Sequence, residues 1–254
     1  QCWASLFSAR AIYYREKKGF KHSNSYLAVV IQKMVDSEKS GVIFSRNPTT
    51  DNGSILIEAV WGLGEGIVSG RIKPDHYVVD GNLDKFKILE SKISDKKIAI
   101  VRNSSGNNEI VKLSEERSKQ QVMTSYEIKR YAQLARMLEE HYKKPQDIEF
   151  AIEGKELYIV QSRPITTKAV KSSGEIKGKI LLSGLGASPG VSSGTVKIVN
   201  DMNDLNKVKK GDVLVTKMTN PDMVVAMQRS VGIVTDEGGV TSHAAIVSRE
   251  MGIP

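Results

Sequence analysis

The sequence has little of three things that would each indicate a particular class of protein. Its 254 residues include a single cysteine, Cys2, which excludes an internal disulfide framework and predicts a cytoplasmic location. No apolar run approaches the ~18 residues that a membrane-spanning helix needs, and no signal-like segment opens the chain, so we expect a soluble protein without a membrane partner. Aromatic residues make up only 6% of the chain and no basic stripe is interleaved with them, which argues against nucleic acid as a partner.

What the sequence does have is positive charge and enough apolar residues for two cores. Lys and Arg outnumber Asp and Glu by 37 to 29, a formal net charge of +8 that is scattered along the chain. Such charge suits a phosphorylated small molecule, and we expect an anionic nucleotide as the ligand. Apolar residues make up 40% of the chain, which at this length supports two domains.

The end of the chain predicts a strand, a turn and a helix around one histidine, His243. Residues 231–235 are β-branched and residues 236–239 have turn chemistry. Thr241 or Ser242 can then cap a helix that continues through apolar residues. In the first helical turn an imidazole lies beside unpaired backbone N–H groups and the positive end of the helix dipole, which favour the neutral ring and attract anions. This suits a nucleophile that accepts a phosphoryl group. The alternative is a capping loop with a partly buried histidine.

Two segments of the sequence are rich in glycine. Gly238 and Gly239 precede the histidine, where side chains would obstruct a bulky partner. Residues 62–70 carry glycines around Glu65, but their spacing matches neither the dinucleotide fingerprint nor a P-loop. That loop is either a plain connection or a flexible loop that presents one acid. Glu58, in the apolar run just before it, either faces a site or lies on the solvated face, because an unpaired buried acid is costly.

A second cluster of polar residues is predicted on a β-hairpin with a tight Glu-Gly-Lys turn. Strand alternation puts Asp147 and Glu149 on one side of the first strand. It puts Gln161 and Arg163, together with Leu157, on one side of the second. Two acids, an amide oxygen and a guanidinium then converge, which suits Mg²⁺ held by oxygen ligands while the arginine binds a phosphate. The alternative is a solvated hairpin face with a surface ion pair.

The remaining pattern predicts an α+β or α/β chain with a polar linker between two folded parts. Strands are predicted over residues 26–35, 41–45 and 54–61, and further short strands between residues 75 and 113. The capping box Thr124-x-x-Glu127 opens a helix whose apolar stripe belongs to a core. Residues 166–179 have too few apolar side chains to pack, and a linker is predicted over residues 166–184.

Three segments resemble the family of enzymes that make or use phosphoenolpyruvate. Their phosphohistidine signature is similar to residues 238–254, Gly-Gly-Val-Thr-Ser-His-Ala-Ala-Ile-Val-Ser-Arg-Glu-Met-Gly-Ile-Pro. Their nucleotide-binding domain is similar to residues 58–65, Glu-Ala-Val-Trp-Gly-Leu-Gly-Glu, followed by Pro74-Asp75. Their metal-binding hairpin is similar to Asp-Ile-Glu-Phe at residues 147–150 and Val-Gln-Ser-Arg-Pro at residues 160–164. The resemblance is closest to the phosphoenolpyruvate synthases (pyruvate, water dikinases) and the pyruvate, phosphate dikinases.

The resemblance implies a role for each candidate site residue. His243 would be the phosphorylated carrier, and Thr241 the neighbouring hydroxyl that regulatory proteins modify in some members. Glu149 and Gln161 would be the Mg²⁺ ligands. ATP would contact Gln32, Met34 and Val35 at the adenine, Glu65 at the ribose and phosphates, and Arg163 at a phosphate, with Asp147 as a supporting acid. The loop at residues 217–222 would lie on the active face.

The resemblance also implies the domains. Residues 1–165 would form an ATP-grasp-like nucleotide-binding domain that is incomplete at its N-terminus. Residues 166–184 would be the linker, and residues 185–254 a swivelling phosphohistidine domain that is truncated at its C-terminus. We expect the pyruvate-binding domain to lie outside this chain, so that the 254 residues alone cannot complete the reaction.

The implied reaction moves the β-phosphoryl group of ATP through His243 to pyruvate and yields phosphoenolpyruvate, AMP and phosphate. A pyruvate, phosphate dikinase or a rifampin-type antibiotic phosphotransferase would share nearly every motif. Ser242 stands where the synthases often have cysteine, so the signature alone does not separate synthase from phosphate dikinase. A non-enzymatic alternative is a nucleotide-binding or phosphocarrier module without turnover. Whether the chain forms a homo-oligomer is left open by the sequence.

Overall fold

The computed structural model describes residues 1–50, 52–81, 86–165 and 180–254. These residues form two compact units, Gln1–Met34 and Val35–Pro254. Within the described ranges, no helix combines the length and the apolar composition of a membrane span. The predicted linker at residues 166–184 lies outside the described residues over 166–179, so its prediction stays untested.

Strands and helices are interspersed along the chain. The strands in the described residues are β1 (Lys39–Phe44), β2 (Ile55–Trp61), β3 (Asp75–Val79), β4 (Ile88–Lys92), β5 (Ile98–Arg102), β6 (Asn108–Lys112), β7 (Gln146–Glu153), β8 (Glu156–Pro164), β9 (Val196–Val199), β10 (Asp212–Thr216) and β11 (Ser230–Thr235). The α-helices there are α1 (Ala9–Lys18), α2 (Glu65–Val68), α3 (Glu115–Lys119), α4 (Ser125–Tyr142), α5 (Val224–Arg229) and α6 (His243–Met251). The chain is therefore a mixed α/β protein, as predicted.

The first unit contains α1 and a 3₁₀ helix on each side of it, Trp3–Phe7 and His22–Asn24. Ser8 has an extended backbone and caps α1, because its side chain accepts a hydrogen bond from the Ala11 N–H group. The helix ends at Gly19, whose φ of 71° is the left-handed conformation that favours glycine at a helix end. This unit is thus a short helical segment bounded by local capping interactions.

The predicted strand over residues 26–35 is wrong. All of these residues are described, and none belongs to a helix or a strand. Ile31 is 98% exposed and Tyr26 is 89% exposed. A strand needs a hydrogen-bonding neighbour as well as β-branched residues, and both neighbours of β1 are strands that follow it in the chain. The apolar run therefore has the composition of a strand without the pairing.

The second unit is built on a six-stranded antiparallel sheet in the order β4-β3-β2-β1-β7-β8. Every residue of β2 is buried, including Glu58, so this strand is covered on both faces. On one face, Ile55, Ile57 and Ala59 pack in a core with residues of α4. On the other, Leu56 and Val60 pack in a second core that includes Val240 from the far end of the chain. The sheet therefore separates two cores.

Helix α4 confirms the predicted capping box and core stripe. The Thr124 hydroxyl accepts from the Glu127 N–H group at 3.2 Å, and the Glu127 carboxylate accepts from the Thr124 N–H group at 2.6 Å. Ile128, Tyr131 and Ala135 are fully buried against the sheet. Reciprocal capping fixes where the helix starts, and the apolar stripe fixes which face lies on the sheet.

The C-terminal part of the second unit has parallel pairing. Strands β9, β10 and β11 form a three-stranded sheet in the order β11-β10-β9, with β10 parallel to both neighbours. Helices α5 and α6 contact β11. Val199, Leu214 and Met227 lie in a third core cluster on this sheet. This region carries the histidine segment.

A buried ion pair lies near the start of β3. Lys96 Nζ donates to the Asp75 carboxylate, and both side chains are 0% exposed. Asp75 also accepts from the backbone N–H groups of Ser94, at 2.9 Å, and Val122, at 2.8 Å, and from the Tyr77 hydroxyl at 3.0 Å. One carboxylate thus joins three separate segments of the second unit.

We predict that Lys96→Met destabilises the second unit by about 3–5 kcal/mol, because it leaves a buried carboxylate without its cation. Urea unfolding measures this loss. The adjacent exposed pair, Lys97 with Asp95 at 3.9 Å, supplies the control, and Lys97→Met should cost no more than about 1 kcal/mol. Equal losses for the two variants would contradict the prediction.

Candidate functional site

The histidine lies where the sequence predicts it, at the first residue of α6. Ser242 is the N-cap, and its hydroxyl accepts from the Ala245 N–H group. Gly238 has a φ of 115°, and a Cβ atom there would lie 2.9 Å from Ser242 Cβ. Glycine is therefore required for the turn to fold back onto the helix start. We call residues 238–243 the histidine loop.

Thr219 orients the imidazole. Its Oγ1 atom lies 2.8 Å from His243 Nδ1, and the residue is only 5% exposed. A hydroxyl at this position fixes the ring orientation, and if it accepts from Nδ1–H it leaves Nε2 with a lone pair for nucleophilic attack. The sequence placed the loop at residues 217–222 near the histidine through the family resemblance, but it gave Thr219 no role.

Glu58 faces the histidine loop. It is 1% exposed, which rules out the solvated face that the sequence left open. Its carboxylate accepts from the backbone N–H groups of Val240, at 3.3 Å, and Thr241, at 3.2 Å, and from the Thr241 hydroxyl. His76 Nδ1 lies 3.5 Å from the same carboxylate. The hydrogen-bond donors that the Glu58 carboxylate needs in the middle of β2 thus come mainly from a segment distant in sequence.

The predicted hairpin and the convergence of its polar side chains are confirmed. Glu149 pairs across the strands with Gln161, and Asp147 pairs with Arg163. Arg163 donates from Nε to Asp147 Oδ2 at 2.9 Å, and its Nη2 atom lies 2.8 Å from the same oxygen. Directly opposed residues share one face of a sheet. Two acids, an amide and a guanidinium therefore lie together.

One detail of the hairpin prediction is wrong. The sequence puts Leu157 on the face of Gln161 and Arg163. In the structure Leu157 is opposite Ile152 and packs on the core that α4 covers. The pairing register shifts between Glu149 and Phe150. Such a β-bulge changes which residues share a face, and simple alternation does not predict it.

Burial shifts the pKa values of both carboxylates on the hairpin face. Burial raises the pKa of Asp147, and the charge of Arg163 opposes this shift. Burial raises the pKa of Glu149 as well, and the neighbouring charge of Asp147 raises it further. Two carboxylates that repel one another in a partly buried place favour the binding of a further cation.

Helix α6 lies next to this hairpin. A cavity of about 130 Å³ is lined by residues of β1, the hairpin and α6, namely Phe44, Asp147, Arg163, Pro164, Ile165, Ile246, Arg249 and Glu250. Arg249 donates from Nη1 to the Ala187 carbonyl at 2.7 Å, and burial lowers its pKa while the charges of Asp147 and Glu58 raise it. The quoted signature contains Arg249, but the sequence assigned it no role. Residues of α6 beyond its first turn and residues of the acidic hairpin thus line one cavity, and His243, Glu149 and Gln161 are not among the lining residues.

The other predicted nucleotide contacts belong to other segments of the chain. Glu65 is exposed at the first residue of α2, where Asn108 Nδ2 donates to it at 2.8 Å. Gln32 and Met34 are exposed residues of the first unit, and Val35 is the half-buried first residue of the second. Their assignment to ATP stays a prediction.

The fold and the site define a mixed α/β protein in which a histidine begins a helix, the loop before it is hydrogen-bonded to an antiparallel sheet, and that helix and an acidic hairpin line one cavity. Residues 1–181 match the family described as pyruvate phosphate dikinase, AMP/ATP-binding domain. Residues 208–254 match the mobile domain of the PEP-utilising enzymes. The chain belongs to the pyruvate phosphate dikinase AMP/ATP-binding domain family.

Several archaeal proteins are similar to the chain along nearly all of its length. It is 54% identical to a probable phosphoenolpyruvate synthase of Archaeoglobus fulgidus, over 100% of the chain and 34% of that protein. It is 51% identical to the phosphoenolpyruvate synthase of Pyrococcus furiosus, over 100% of the chain and 33% of that protein. The identity to the phosphoenolpyruvate synthase of Aeropyrum pernix is 40%, over 99% of the chain and 36% of that protein. The chain spans about a third of the length of these relatives.

We predict that His243 is held mainly as the Nδ1–H tautomer, because this form donates to Thr219 Oγ1 and leaves Nε2 unprotonated. Nitrogen-15 NMR shifts of the ring distinguish the two tautomers. Thr219→Val should shift the population towards a mixture, whereas Thr219→Ser should keep the wild-type spectrum. A wild-type ring that is mainly Nε2–H, or a Thr219→Val spectrum identical to the wild type, would contradict this assignment.

Proposed function

We propose that the chain is the nucleotide-binding and phosphohistidine part of a phosphoenolpyruvate synthase (pyruvate, water dikinase). The observation that carries this proposal is that α6, the helix that begins at His243, lines a cavity together with Asp147 and Arg163 of the acidic hairpin. The family matches and the names of the relatives support it. In the overall reaction ATP, pyruvate and water give AMP, phosphoenolpyruvate and phosphate, with His243 as the intermediate carrier.

The acidic hairpin is the proposed Mg²⁺ site. Glu149 and Gln161 offer a carboxylate and an amide oxygen from directly opposed positions, and the pKa of Glu149 is raised by burial and by Asp147. In the described part of the chain no three His, Cys, Asp or Glu residues form a metal-binding group. A set of only two protein ligands fits Mg²⁺, which usually keeps several waters and binds one or two protein carboxylates plus substrate phosphates. When bound, Mg²⁺ neutralises charge on the phosphates of ATP.

The other hairpin residues have separate proposed roles. Arg163 is exposed and offers a planar set of donors to a phosphate oxygen. Asp147 holds the Arg163 guanidinium through the contacts at 2.8 and 2.9 Å. In this division, Asp147 orients the arginine and the arginine binds the nucleotide. Glu65 is the proposed ribose and phosphate contact, and Gln32, Met34 and Val35 remain the proposed adenine contacts.

The finer fold assignment is part of the same proposal. The antiparallel sheet with α4 is the ATP-grasp-like domain, and the parallel strands β9 to β11 with α5 and α6 are the phosphohistidine domain. In-line transfer requires reacting atoms about 3–3.5 Å apart, so one histidine that serves two sites must swivel between them. The linker at residues 166–184 would allow this movement. Pyruvate and phosphoenolpyruvate are the other proposed partners, and a cytoplasmic location fits these metabolites.

Thr241 is the proposed regulatory site. It is 1% exposed and its hydroxyl donates to Glu58. An enzyme that modified this hydroxyl could reach it only after the histidine loop had left the sheet. Modification by a regulatory enzyme and hydrogen bonding to Glu58 would then compete for the hydroxyl oxygen of Thr241.

In a polypeptide of the relatives' length that contains these residues, we predict that ATP labelled at the β-phosphate transfers label to His243 and that ATP labelled at the γ-phosphate leaves none there. The readout is acid-labile, base-stable phosphate on the protein, located by peptide mass spectrometry. His243→Ala should abolish the label, because no other described histidine has this environment. His141, exposed near the end of α4, is the matched control, and His141→Ala should label normally. If wild-type His243 takes no label from the β-phosphate of ATP, the dikinase proposal is contradicted.

We predict that Glu149→Ala abolishes the Mg²⁺-dependent part of nucleotide binding, because it removes the only carboxylate among the two proposed ligands. Calorimetric titration of ATP with Mg²⁺, and again with EDTA, measures that part. The control is Glu153→Ala, at the exposed end of the same strand, which should bind as the wild type does. Unchanged Mg²⁺-dependent binding in Glu149→Ala would remove this residue from the metal site.

A further inference from the structure

The histidine loop rests on a surface formed by the sheet and the glycine-rich loop. We call this surface the docking seat and define it by Glu58, Gly70 and Pro74. Glu58 supplies the acceptors for the loop. The other two residues supply close contacts, because a Cβ atom at Gly239 would lie 3.3 Å from Pro74 Cγ and one at Gly70 would lie 3.7 Å from Gly238 Cα. The seat therefore belongs to the proposed nucleotide-binding domain and the loop to the proposed phosphohistidine domain.

The paired glycines of the loop fit this seat. A Cβ atom at Gly239 would lie 3.0 and 3.1 Å from the two carboxylate oxygens of Glu58. Those distances are shorter than ordinary van der Waals contact, so a side chain at this position would push the loop off the carboxylate. The sequence predicted that these glycines leave room for a bulky partner. In the structure the group that approaches Gly239 is Glu58.

Val240 supplies the buried apolar part of this contact. It is 1% exposed and belongs to the core cluster of Leu56 and Val60, the two residues that flank Glu58 on the same face of β2. The loop thus offers one apolar side chain, two backbone N–H groups and one hydroxyl to a surface with one apolar patch and one carboxylate. A contact of this kind is specific, because the carboxylate is costly to bury unless its donors are present.

A carboxylate is not the residue that stability alone would favour at position 58. Replacing buried charged groups by packed apolar residues is often neutral or stabilising, and Leu56 and Val60 show that this face of β2 accepts aliphatic side chains. An aliphatic residue, however, would offer no acceptor to the hydroxyl of Thr241. The presence of Glu58 therefore points to recognition of the loop.

We propose that Glu58 is the positioning residue that docks the histidine loop on the nucleotide-binding domain for transfer from ATP. It does so by accepting hydrogen bonds from the N–H group and the unmodified hydroxyl of Thr241. This inference rests on the proposed function for its catalytic meaning. A phosphate on Thr241 would bring about −1.5 to −2 charges against the buried carboxylate. Modification of Thr241 and docking on Glu58 therefore exclude each other.

Hydrogen exchange of the 254-residue chain tests the docking contact without any activity. In Glu58→Ala the amides of Val240 and Thr241 lose their acceptor, and their exchange should become at least about tenfold faster. Glu58→Gln, which keeps the size and one acceptor, should give a smaller increase, and Thr241→Val should also give a smaller one. Glu90→Gln, at an exposed position of β4 in the same sheet, is the control and should change neither amide.

The sheet itself reports whether a variant folds. Amides of β1 and β7 should keep their protection in all four variants. If Glu58→Ala loosens those strands, Glu58→Gln and Thr241→Val decide the matter, because both preserve side-chain size. Wild-type protection of Val240 and Thr241 in every variant with an intact sheet would overturn the proposal.

The two half-reactions separate positioning from general stability. In a polypeptide of the relatives' length that contains these residues, label can reach His243 from ATP or, in the reverse direction, from phosphoenolpyruvate. Glu58→Ala should slow labelling from ATP by at least about tenfold, and it should leave labelling from phosphoenolpyruvate within about twofold. Equal losses in both directions would mean a structural role only and would overturn the proposal. If wild-type protein takes no label from either donor, the proposed function fails, while hydrogen exchange still decides whether Glu58 docks the loop.

Discussion

A carboxylate in the middle of an antiparallel sheet must find hydrogen-bond donors, and Glu58 finds them on residues 182 and 183 positions away in the sequence. The strand that carries it is buried on both faces, so water does not supply the donors. The loop that supplies them begins the helix of His243. Satisfying one buried charge therefore fixes where the histidine lies relative to the sheet, and the acidic hairpin, Arg249 and their shared cavity follow from that placement.

The arrangement resolves two opposing demands on the histidine. For chemistry it must be held firmly, and Thr219 and the N-cap at Ser242 do this through contacts within its own region. In the proposed function, transfer between two sites also requires the histidine to leave the sheet. The structure separates these demands, because the contacts that orient the ring belong to the parallel-strand region, whereas those that hold the loop belong to the sheet. The loop can depart from Glu58 while the ring stays oriented by Thr219.

The local elements could largely be predicted from the sequence, because their signals are local. The capping box of Thr124, the hairpin that pairs Glu149 with Gln161, and the helix start at His243 each follow from a few neighbouring residues. The failures concern pairing over distance. Residues 26–35 have strand composition without a partner, and the bulge beside Glu149 moves Leu157 to the other face. The role of Glu58 depended on a segment far along the chain, so the sequence left two alternatives that only the fold decided.

The strength of the docking contact also has an upper limit. Hydrogen bonds to a charged group contribute roughly 1.5–3 kcal/mol each, so three of them with a buried Val240 could hold the loop too tightly for release. Removing the loop exposes the Glu58 carboxylate to water, however, and its hydration offsets much of the lost bonding. The Glu58 carboxylate thus has hydrogen-bond partners in both states of the loop. When the loop is docked the partners are its donors, and when the loop is undocked they are water molecules. An apolar seat would gain nothing from hydration, which is a physical reason for a carboxylate at the surface from which the histidine departs in the proposed function.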